Sequence, residues 1–119
     1  MRECKLKEAD FKTEHNLPFE VAEWGFNIDP DHQFKRFRIG TCEGLWSGTD
    51  QSYEILAVKN TQKHNGHFND VLQWFEHSCK RDKKQFIIKE VWNKNLKNHL
   101  ILKRGFTKLG KSDLIKYFN

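Results

Sequence analysis

The chain has 119 residues, with 21 Lys and Arg against 16 Asp and Glu, and ten Phe, four Trp and two Tyr. That length supports a single domain over residues 1–119, since two halves would each bury too little surface, and the rings can supply most of one core. Charges of mixed sign exclude an acidic or basic tail; no apolar run approaches the roughly 20 residues that span a bilayer; the formal charge of +5 favours anionic partners without choosing among nucleic acid, phosphorylated cofactors and acidic proteins.

In chain order, Pro18 opens "FEVAEWGFNID", where Phe19, Ala22, Glu23 and Phe26 recur at helical spacing. The pattern predicts a short helix ending near Gly25 or Asn27. "FKRFRIGTCEGLWSG" alternates apolar and polar residues and predicts a strand, bulged or turned at Gly40 or Gly44. "GTDQ" reads as a turn, and "SYEILAVKN" as a strand near the sheet centre. Phe68, Val71, Leu72, Phe75 and Cys79 then repeat at intervals of three and four, the mark of an amphipathic helix of about four turns capped by Asn65 or Asn69. "QFIIKEVW" predicts a further strand. "NKNLKNHLILKRG" predicts a helix with Leu96, Leu100 and Ile101 inward and Gly105 at its stop. "FTKLG" and "SDLIKYF" fit two short strands, or a strand and a helical turn. A strand–helix–strand unit implies a parallel pair with a right-handed crossover, so the expected class is α+β: a mixed sheet whose central parallel pair is flanked by helices.

The stretch "TQKHNGHFNDVLQWFEHSC" joins the central strand to its helix. The first amides of a helix lack intrahelical partners, the helix dipole favours an anion there, and glycine lets backbone approach a ligand closely. Lys59, Lys63, His64 and His67 add cationic groups around the turn. An ordinary strand–helix turn has the same parts, so the junction alone selects no ligand.

From Tyr53 to Phe106, about half the chain, the sequence resembles the acyl-CoA-binding half of the GCN5-related N-acetyltransferases. In that family a strand enters a [QR]-x-x-G-x-[GA] loop and a helix; another strand, an Asn-headed helix and a "GF" pair follow. Here Lys63, His64, Asn65, Gly66, His67 and Phe68 fall on the loop, Asn93 or Asn95 on the Asn, and "LKRGF" on the ending. Lys63 replaces Arg or Gln, Phe68 replaces Gly or Ala, and Ile101 stands where the family often has a Tyr acid.

The resemblance implies acetyl-CoA as acyl donor and an amine, on a small molecule or a protein, as acceptor. Leu56, Ala57 and Val58 would pair with the pantetheine arm like an added strand. Amides from Lys63 to Phe68 would take the pyrophosphate, and Asn95 would contact the cofactor. Glu54 is the first candidate base and Glu90 the second, with His99 a candidate acid. Regular alternation places Glu54 on the same face as Leu56 and Val58. No metal is expected.

Two rival readings draw on the same residues. His64-x-x-His67 and His77-x-Cys79 supply four possible ligands, but a structural zinc site usually has more Cys, and positions two apart on a helix diverge. "FKRFR", "KRDKK" and "KNLKNHLILKR" interleave cations with apolar residues, as in nucleic-acid binders, yet the rings fall at core spacings. Cys4, Cys42 and Cys79 are odd in number and form no C-x-x-C pair; with no secretory leader in the pattern, reduced thiols in a cytoplasm are the expectation. A protein-interaction module without catalysis is the remaining alternative.

Overall fold

The computed structural model describes residues 20–22, 35–60 and 66–118. Seven strands form one sheet: β1 (Glu20–Ala22), β2 (Lys35–Ile39), β3 (Cys42–Gly48), β4 (Ser52–Asn60), β5 (Gln85–Ile88), β6 (Thr107–Leu109) and β7 (Asp113–Lys116). Helix α1 (His67–Asp82) joins β4 to β5, and α2 (Lys94–Arg104) joins β5 to β6. The sheet order is β1-β2-β3-β4-β5-β7-β6; β4 and β5 are parallel and every other neighbouring pair is antiparallel. This is the expected α+β class with its central parallel pair.

The core lies between the sheet and α1. Phe37, Ile39, Cys42, Trp46, Tyr53, Ile55, Phe86, Ile88 and Leu114 present one sheet face, and Val71, Leu72, Trp74, Phe75 and Cys79 come from the helix. Phe75 sits at the centre of a row of rings, with centroids 5.5 Å from Phe37, 6.1 Å from Trp46 and 5.5 Å from Phe86. Each such contact adds roughly 0.5–1.5 kcal/mol beyond area burial. Leu100 of α2 and Phe106, just before β6, join the same cluster. Arg104 then ties α2 to α1, donating to Asn69 Oδ1 at 3.0 Å and Glu76 Oε1 at 2.8 Å.

Two sequence expectations are corrected. The segment read as a helix after Pro18 contains strand β1, whose backbone pairs with Ala22 opposite Arg36 and Glu20 opposite Arg38. An open sheet edge claims those residues more strongly than a three-to-four spacing does; residues 18, 19 and 23–27 of that helix lie outside the described residues. Asn69 does not cap α1, and Asn65 lies outside the described residues. The N-cap is Gly66 at φ 84°, without a side-chain cap, and the Asn69 carbonyl serves Arg104 instead. The stretch read as a strand bulged or turned at Gly40 or Gly44 turns at Gly40–Thr41 and forms two strands. The last two segments are both strands.

Candidate functional site

The β4–β5 ladder is short. Ser52 pairs with Gln85, Tyr53 with Phe86, Glu54 with Ile87 and Ile55 with Ile88, and the Lys89 N–H closes the run on the Ile55 carbonyl at 2.8 Å. β5 ends there, while β4 continues through Leu56, Ala57, Val58, Lys59 and Asn60, paired with β3 alone. The carboxyl ends of parallel strands are the place where open sheets bind ligands.

A bulge marks the parting point. Trp46 faces Ile55 and Leu45 faces Ala57, so Leu56 is an extra residue in β4. Gly44, paired with Val58 just beyond the bulge, makes room for it: a Cβ there would lie 2.0 Å from the Ala57 carbonyl oxygen. The Ile55 carbonyl points to β5 and the Ala57 carbonyl to β3. Alternation then turns the Val58 N–H and C=O away from β3, to the side that β5 has left.

The same bulge corrects the expected face of Glu54. Val58 packs against the core, together with Tyr53 and Ile55, whereas Glu54 lies on the opposite sheet face. The extra residue shifts the two-residue period by one. Glu54 accepts a hydrogen bond from Ser52 Oγ at 3.0 Å and stands half-buried between Ser47 and Ile87 on the neighbouring strands.

Both helices begin at this end of the sheet. Gly66 leads into α1, and the Phe68 side chain packs on the core instead of standing in the junction. His67 is occupied structurally: its Nδ1 accepts the Thr41 N–H at 2.9 Å, while Thr41 Oγ1 donates to Asn60 Oδ1 at 2.7 Å. This fastens the β2–β3 turn to the carboxyl end of β4. Lys63, His64 and Asn65 lie outside the described residues. Asn93 caps α2 by accepting the Leu96 N–H at 3.0 Å, and Asn95 is exposed in the first turn.

Glu90 and His99 stand apart from this arrangement. Glu90 is exposed at φ 56°, and its N–H donates to Asp113 Oδ1 at 2.9 Å, fixing the β5–α2 loop to the start of β7. His99 is exposed on α2, five residues past its start and so about 7.5 Å along the axis. Ile101 packs against the core and offers no acid.

Sequence reasoning missed a pocket of about 250 Å³ on the sheet face opposite the core. Leu45 and Ala57, which face away from the core, line it with Gly44 and Val58, and Arg36, Glu43 and Lys59 give its polar rim. Arg36 Nη2 lies 2.6 Å from Glu43 Oε1. That hydrogen bond, with the charges of Arg36, Arg38 and Lys59, outweighs a desolvation cost and holds the Glu43 carboxyl below the usual carboxylate range. The signals were the interrupting Gly44 and the cross-strand pairing of Arg36, Glu43 and Lys59, which becomes visible only once the register is known.

Several basic residues of the nucleic-acid reading are held in ion pairs: Arg36 with Glu43, Arg81 with Asp82 and Arg104 with Glu76. Among the described residues no group of three His, Cys, Asp or Glu side chains could hold a metal ion, and no helix is long and apolar enough to cross a membrane. No protein-family model and no curated protein matches the chain.

Proposed function

We propose that the chain is an N-acetyltransferase of the GCN5-related type, binding acetyl-CoA between β4 and β5 and transferring its acetyl group to an amine. The observation that carries this reading is the run of β4 beyond its last pair with β5, bulged at Leu56 and flanked by the starts of two helices. A pantetheine arm is an amide-bearing chain, and the Val58 N–H and C=O give it a strand edge to pair with. The start of α1 at Gly66 supplies amides and a favourable dipole for the pyrophosphate. Asn95 reaches the cofactor from α2.

Acetyl-CoA supplies an acyl thioester held beside the amine. Glu54, on the face from which an acceptor approaches, takes the amine proton directly or through one water. The amine nitrogen bonds to the thioester carbon, and backbone N–H groups at the bulge stabilise the developing oxyanion. The C–S bond breaks, and the thiolate takes its proton from water, because Ile101 is turned into the core.

Thermal denaturation with and without acetyl-CoA tests the reading. At a hundredfold excess over the dissociation constant, binding stabilises by about 2.7 kcal/mol, a rise in Tm of about 10 °C for a domain of this size. An unchanged Tm at millimolar acetyl-CoA overturns it.

A further inference from the structure

The pocket beside the bulge opens on the face that carries Glu54, and two of its lining residues, Ala57 and Val58, belong to the stretch of β4 that β5 leaves. Resting on the acyl-transfer reading, we infer that this pocket is the acceptor site and that it takes a small amine bearing a carboxylate, not a polyamine.

Three features argue for that class. At about 250 Å³ the space falls below the roughly 300–1,000 Å³ of pockets for drug-sized ligands. It fits a compact molecule. Its apolar part receives a short aliphatic stretch, which excludes a fully charged ligand. Its rim has two cations, Arg36 and Lys59, against one carboxylate, Glu43. Arg36 is engaged with Glu43. Lys59 is exposed, and three cations, Arg36, Arg38 and Lys59, act on the single Glu43 carboxylate, so the rim is cation-rich. An incoming carboxylate completes the rim, whereas a polycation meets net repulsion. Lys59 and Glu54 lie on the same sheet face, on either side of the bulge.

The test uses the full chain labelled with ¹⁵N and titrated with L-glutamate or with spermidine. L-Glutamate is expected to move the amide signals of Leu45, Ala57 and Lys59 saturably, and spermidine to leave them in place. Lys59→Glu should weaken the glutamate response at least tenfold, while Lys103→Glu, an equal charge change on the exposed side of α2, should not. Spermidine moving the same amides, glutamate moving none of them, or equal losses in the two variants would each overturn the inference. Coenzyme A is titrated separately and read at Gly66 to Phe68. A chain that takes glutamate but gives no response there overturns the acyl-transfer reading, and with it the acceptor role, while the charge preference of the pocket stands.

Discussion

Cys42 and Cys79 are each fully buried, and burial pushes both thiols up to about 12 from an ordinary value of 9.0. A raised folded-state value means that the folded chain keeps its protons where the unfolded chain has lost them. Their contribution is therefore complete below pH 9 and declines as pH rises towards 12, by at most about 1.4 kcal/mol per pH unit for each thiol. Urea titrations at pH 8, 9.5 and 11 should show falling midpoints, and peptide mapping after iodoacetamide at pH 8 should find both residues unmodified in the folded protein. Glu54 makes the opposite kind of prediction. It contributes a half-buried carboxylate with one hydrogen bond from Ser52. Glu54→Gln keeps that acceptor, so Tm should change little, whereas kcat for acetyl transfer should fall about 10²–10⁴-fold. His99→Ala, on an exposed helix position, should leave kcat unchanged.

At the level of the elements, the two helices start differently. α2 has an Asn93 side-chain cap and a Gly105 stop at φ 82°. α1 begins at a glycine with no side-chain cap, the helix end where the proposed pyrophosphate would sit. Asn93→Ala should cost about 1 kcal/mol, seen as a lowered urea midpoint, without altering acetyl-CoA affinity. The β3–β4 bulge is more sensitive. The added methyl of Gly44→Ala would sit 2.0 Å from a backbone oxygen, and neither strand can yield without moving the ladder. The expected result is a loss of 1–3 kcal/mol or more, as in other overpacked sites, and a weakened acetyl-CoA response from whatever folds. Sequence reasoning located Gly44 as an interruption but could not place the bulge on β4, because a bulge is a relation between two strands.

Across the whole molecule, the ladder and the vacated edge occupy one strand. Amides of β4 up to Ile55 lie in a sheet paired on both sides, while Val58 faces the vacated side. Hydrogen exchange should therefore be fast at Val58 in the free protein and slow there once acetyl-CoA is added, with little change at Tyr53. Equal protection at Val58 with and without acetyl-CoA would argue that the edge does not receive a strand-like ligand. Glu76 accepts from Arg104 and Lys116 and so joins α1, α2 and β7 on the core side. That leaves the opposite face of β2–β4 to the pocket.

The four-turn helix, the central strand, the Gly105 stop and the aromatic core were all legible in the order of residues, because periodicity and capping act over a few neighbours. The strand at Glu20–Ala22, the face of Glu54, the role of His67 and the pocket rim depended on which strand lies beside which. Such pairings bring together residues 18 to 26 positions apart, as with Glu20 and Arg38 or Thr41 and His67. No local pattern encodes them: an edge strand takes its conformation from its partner, and one extra residue in β4 reverses the facing of everything beyond it.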